Sequence, residues 1–99
     1  MPTLPHMKTR EKKIDYSALN SPLMRIPHID VDTVRNLLDL GFREIHELDG
    51  RAPEVLFEDL KKIKLNIPQS RLYSLRMAVY FAETPDPDPL KLTPWAWKD

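Results

Sequence analysis

No cysteine occurs anywhere in the chain. A disulfide framework is therefore excluded, and so is a zinc site built on thiolates. Glycine is nearly as scarce. Gly41 and Gly50 stand alone, which rules out a glycine-rich phosphate loop. Net charge is also missing: fifteen Lys and Arg balance fifteen Asp and Glu, so the global balance carries no polyanion-binding signature. No apolar run approaches a membrane span, and Met1 to Asn20 lacks the hydrophobic stretch of a signal peptide. The expectation is a cytoplasmic protein without membrane association.

What is present suits one small domain. The polar, proline-containing ends leave roughly 65–70 of the 99 residues to fold. A unit of that size buries only about 60% of the surface its unfolded chain exposes, so modest stability is expected. The organisation divides into a flexible basic arm over 1–16, a helical domain over 17–83, and a Pro-rich linker with a Trp-containing strap over 84–99. Charge is unevenly spread: net +3 over Met1–Ile14, −4 over Asp15–Gly50, +2 over Arg51–Glu83 and −1 over the remainder. The first half of the folded region repels a polyanion, and the second is suited to attract one. The arm is equally readable as an ordinary solvated terminus.

Along the chain, Ser17 to Arg25 is compatible with a short helix that Pro22 either starts or divides, and Pro27 stops it. Val31, Val34, Leu37 and Leu38 then form one apolar helical stripe. Asp30 or Asp32 is placed to cap its start, and Leu40-Gly41-Phe42 to end it, with Gly41 left-handed and Phe42 folding back on Leu37. Ile45 and Leu48 suggest a helical turn. Pro53 and Glu54 open another helix whose expected buried face is Val55, Leu56, Leu60 and Ile63, with Lys61, Lys62 and Lys64 at its end. Arg71 to Glu83 is apolar around most of its girth, as befits a central helix. Its Tyr73, Met77 and Tyr80 stripe reads as packing rather than a ligand box, and Arg76 as paired with a core or linker carboxylate. Thr84 to Pro89 reads as an extended linker. Trp95 and Trp97 are expected to strap back across the helices, or else to dock on a partner.

Two helix–break–helix units emerge, hinged at 26–30 and 65–70, and each break contains an Ile-Pro pair. This resembles a tandem helix-hairpin-helix domain. Together with Arg25 to Ile29, Leu37 to Phe42, Gly50 to Glu54, Arg76 to Ala82 and the closing Trp95 to Asp99, it resembles a small bacterial family labelled pathogenicity-locus or mitomycin-resistance-like, over roughly 19–99. The resemblance implies a fold and a nucleic-acid-binding role, with no established activity.

In such motifs two hairpin glycines let backbone amides grip a phosphate beside a helix amino terminus. The resemblance puts those glycines at His28 and Asp30, and neither is glycine here. Pro27, His28, Ile29 and Asp30 therefore read as a degenerate first hairpin. A capping carboxylate there occupies the amides and repels a phosphate by about 1 kcal/mol or more. The second hairpin is the better candidate: Lys62, Lys64 and Arg71 flank a helix start where the Gln69, Ser70 and Arg71 amides are expected to be open, with Lys12 and Lys13 as possible aids. Contact there is sequence-independent and salt-dependent. The alternative is structural: the lysines complement their own helix end and Ser70 caps the next helix.

His6, His28 and His46 have no metal-ligand spacing, and Ser17, Ser21 and Ser70 sit in no nucleophile motif. The reading is an all-α domain of four to five short helices that is not an enzyme, needs no cofactor and has no small-molecule substrate. It binds nucleic acid weakly through the second hairpin, or serves as a protein-interaction or structural module. Its oligomeric state is not legible.

Overall fold

Residues 14–99 are described by a computed structural model. His6, Lys12, Lys13 and most of the expected basic arm lie outside the described residues. Within them the chain is all-helical and has no strand. Helix α1 spans Tyr16–Leu19, α2 Val31–Asp39, α3 Pro53–Ile63 and α4 Ser70–Glu83, with 3₁₀ turns at Pro22–Arg25, Ile45–Leu48, Pro89–Lys91 and Pro94–Trp97.

Local chemistry sets most of these boundaries. Asp15 accepts the Ala18 amide at 3.1 Å and starts α1. Pro22 divides the following segment: the Ser21 hydroxyl accepts the Leu23 amide at 3.0 Å and opens a separate turn. Helix α2 is capped by Asp30, whose Oδ1 accepts the Thr33 amide at 3.2 Å. It ends in paired reverse bonds, from Gly41 to the Leu38 carbonyl and from Phe42 to that of Leu37. Gly41 takes φ +98°, which a side chain would resist, and Phe42 and Leu37 are both buried. Pro53 occupies the first position of α3, where a missing N–H costs nothing.

The buried face of α3 corrects the expected one. Leu56, Phe57 and Leu60 are buried, whereas Val55 and Ile63 are each more than half exposed. The helix packs along a stripe centred near Phe57 and Leu60. Val55 lies roughly opposite that stripe, and Ile63 sits on its flank at the final residue. Helix α4 occupies the centre: it buries Leu72, Ser74, Leu75, Met77, Ala78 and Val79 and is packed by α2, α3, the Ile45–Leu48 turn and the Pro94–Trp97 turn. Burial of Met77 and partial burial of Tyr73 and Tyr80 make that stripe part of the packing.

The carboxy-terminal segment lies across α4 without a fully buried residue of its own. Trp97 anchors it. Its ring lies 5.2 Å from that of Tyr80, and its Nε1–H donates to the Lys91 carbonyl at 2.8 Å. Arg76 donates to the Trp97 carbonyl at 2.7 Å and pairs with Asp99 at 2.8 Å and Glu54 at 3.1 Å. Its carboxylate partners thus come from the chain end and the start of α3, rather than from the core or the linker. The Asp99 carboxylate, then Glu54, hold its guanidinium pKa above the ordinary arginine value. Trp95 remains 71% exposed, so one tryptophan docks and the other does not.

Candidate nucleic-acid interface

The first hinge turns through Pro27 and His28, closed by a bond from the Ile29 amide to the Ile26 carbonyl at 3.3 Å. His28 has φ +60°, a left-handed conformation that glycine adopts at less cost. Its ring is spoken for: Nδ1 lies 2.7 Å from the Leu92 carbonyl. A carbonyl only accepts, so that nitrogen carries the proton. Ile29 is buried in the core, and the Asp30 carboxylate covers the first turn of α2. The amides a phosphate would use are thus faced by a carboxylate. Asp32, also in that first turn, is exposed.

The second hinge is built differently. Helix α3 stops at Lys64, whose backbone is extended and whose amide bonds the Leu60 carbonyl at 2.9 Å. Leu65 projects with 89% of its surface exposed. Asn66 has φ +59°, and Ile67 then packs against the core. Asn66-Ile67, like His28-Ile29, is a left-handed residue followed by an isoleucine packed on the core. The two Ile-Pro pairs are not equivalent, because Pro27 precedes its left-handed residue and Pro68 follows its own.

At the start of α4 no side chain among the described residues caps the amides. Gln69 is already helical and occupies the cap position, with Ser70 as the first helical residue, so Ser70 is not the cap. The first bonds run from Arg71 to the Pro68 carbonyl at 2.9 Å and from Leu72 to that of Gln69 at 3.0 Å. The expectation of three open amides is thereby corrected to two. Proline supplies a carbonyl but no N–H, and Arg71 uses it. The amides of Gln69 and Ser70 have no acceptor among the described residues, and both residues are exposed.

The cations around this hinge all have partners within the chain. Arg71 donates through Nη1 to the Asn36 side-chain carbonyl, satisfying a buried amide of α2. Lys64 Nζ lies 2.8 Å from Asp39, which Arg35 also contacts at 3.3 Å, and Arg35 in turn lies 2.9 Å from Asp15. Lys61 pairs with Glu58 at 3.0 Å and sits over the Phe57 ring. Lys62 is the loosest, 3.8 Å from Asp59 and 77% exposed. Three of these cations thus meet three carboxylates, Glu58, Asp59 and Asp39, and the fourth, Arg71, meets the Asn36 amide. The long-range partners of Lys64 and Arg71 were not visible in the spacing of the sequence, whereas Glu58–Lys61 and Asp59–Lys62 are three apart on one helix.

A cleft of about 480 Å³ opens beside the strap, with Arg51, Arg76, Glu54, Glu83, Tyr80 and Trp97 among its walls. Among the described residues no three histidine or acidic side chains are grouped to hold a metal ion. No helix among them is long and apolar enough to cross a membrane.

Neither a curated protein nor a solved structure shows significant similarity to the chain. A family model does. The model described as Cdd1, pathogenicity locus, matches residues 17–99, all but the first residue of the helical region together with its strap, and the chain belongs to the pathogenicity-locus family.

Proposed function

We propose that the chain is a non-catalytic binding module built from tandem helix-hairpin-helix units, contacting nucleic-acid phosphates at its second hinge without reading base sequence. One observation carries this reading: the two hinges differ in what faces their amides. Asp30 covers the first, whereas Gln69 and Ser70 at the second leave theirs open at the start of a fourteen-residue helix. A helix start of that kind favours an anion. Left-handed His28 and Asn66, each followed by an isoleucine packed on the core, support the hairpin assignment. Lys62 and Lys64 supply further positive charge, and Arg71 lies one residue beyond the open amides. Exposed ion pairs of the Lys62–Asp59 kind are worth only about 0–1 kcal/mol, so a phosphate can replace the carboxylate.

The test is titration of labelled duplex and single-stranded DNA at low and at higher salt. Salt-sensitive binding that Lys64→Glu combined with Arg71→Glu abolishes is the expected result. No binding at low salt would reject the proposal, and binding indifferent to the two reversals would reject the site.

A protein-interaction or structural module that keeps the fold without phosphate contact is the second reading. It is favoured by the internal partners of Lys62, Lys64 and Arg71, which are Asp59, Asp39 and Asn36. Self-association with concentration, or a tryptophan signal altered by a partner, would support it.

A further inference from the structure

The bond from His28 to the Leu92 carbonyl spans 64 residues and ties the first hinge to the carboxy-terminal strap. It closes a continuous path of contacts that begins on α4. Arg76 holds the far end of the strap through the Trp97 carbonyl and Asp99. Tyr80, one turn further along α4, packs on the Trp97 ring, and its hydroxyl accepts the Asp88 amide at 2.9 Å. Trp97 in turn donates to the Lys91 carbonyl, the peptide group directly before that of Leu92. The acceptor offered to His28 is therefore fixed in place from α4. Both ends of the path are weakly held by themselves. The strap contributes no buried residue, so little apolar burial opposes its release as a unit. His28 is exposed and left-handed, a conformation disfavoured for a residue bearing a Cβ and kept only while its surroundings impose it.

We infer that the strap is a latch on the first hinge: seated on α4 it holds the His28 ring and with it the left-handed turn, and its release frees both. The latch does not depend on phosphate contact at the second hinge. The path is contiguous, and its two states are the strap seated and the strap released. Linkage makes the coupling reciprocal, so loosening the His28 turn loosens the strap by the same factor.

The experiment follows both ends in the full chain. Nitrogen NMR of the His28 ring in mildly alkaline buffer reports its tautomer, which the Leu92 carbonyl fixes with the proton on Nδ1. A neutral ring without that acceptor favours the proton on Nε2. Trp97→Ala should move the ring to the Nε2-protonated form. The Ile29 amide, bonded to Ile26 across the turn, should exchange about fivefold faster relative to the Phe42 amide, the factor that one hydrogen bond confers. Phe42, bonded to Leu37 at the other end of α2, corrects for any change in overall stability. The milder Asp99→Asn, which removes one partner of Arg76, should shift the exchange ratio the same way and by less. In the reverse direction, His28→Gly should speed exchange of the Trp97 indole N–H by a similar factor. A Trp97→Ala protein that keeps the Nδ1 proton and an unchanged exchange ratio would overturn the inference, because the hinge would then hold itself. Equal acceleration at Ile29 and Phe42 with the tautomer retained would also overturn it. If Trp97→Ala fails to fold, an unchanged ratio in Asp99→Asn together with unchanged indole exchange in His28→Gly decides against the latch.

Discussion

Replacing Trp97 by alanine should destabilise the protein far more than the same change at Trp95. The Trp97 ring packs against that of Tyr80, 5.2 Å away and tilted by 46°, and donates to the Lys91 carbonyl. The aromatic pair is worth about 1 kcal/mol and the hydrogen bond about 1 kcal/mol. Lost apolar contact of a half-buried ring brings the total to about 2–3 kcal/mol. For a domain of this size that corresponds to a fall in Tm of about 10–20 °C. Trp95 is 71% exposed, so Trp95→Ala should stay within about 0.5 kcal/mol. Thermal melting by circular dichroism measures both. Fluorescence adds an independent check: the Trp95→Ala protein, reporting Trp97 alone, should emit at shorter wavelength than Trp97→Ala, and should shift red as the strap melts. Equal destabilisation by the two substitutions, or identical emission, would refute the anchoring of the strap through Trp97.

The Thr33 hydroxyl is buried without a partner among the described residues, so Thr33→Val should be neutral or stabilise by about 1 kcal/mol in denaturant titration, against the usual cost of such a swap. At His28, alanine loses the bond to Leu92 and keeps the left-handed strain, whereas glycine loses the bond and relieves the strain. The alanine protein should therefore be the less stable by about 1 kcal/mol in the same titration. Glu47 accepts the Arg43 amide at 2.6 Å and the Glu44 amide at 2.9 Å, which holds its pKa below the ordinary carboxylate value. Its stabilisation is full above that ordinary value and disappears as pH falls through the lowered one. Glu47→Gln should flatten the acid side of the stability profile, and an NMR titration of Glu47 should show the lowered pKa directly.

How legible the fold was depends on how local each cause is. Helix α2 was readable because its stripe, its Asp30 cap and the Gly41 stop are neighbours in sequence, and each acts on adjacent backbone. The start of α3 at Pro53 was readable for the same reason. Its buried face was not, because hydrophobicity does not say which side a neighbour will cover: Phe57 went inward while Val55 and Ile63 stayed out. The candidate site shows the same division. That a carboxylate caps the first hinge could be read from Asp30 itself. The bonds of Lys64 to Asp39 and of Arg71 to Asn36 could not, since they exist only once α3 and α4 are laid beside α2. Each Ile-Pro pair lies in a break between helical elements, but Pro27 precedes a left-handed residue and Pro68 follows one. The left-handed residues of the two breaks are His28 and Asn66, and neither is a glycine that would have announced the turn.

Asp39 holds two cations at once, Arg35 on its own helix and Lys64 from the end of the next. Any incoming anion that recruits Lys64 leaves that carboxylate to Arg35 alone, and Arg35 is also the partner of Asp15 at the start of α1. The chain therefore carries a resident competitor for its own hinge. Occupancy there would be felt as a redistribution of charge reaching back to α1, the element just after the lysine-rich beginning of the sequence.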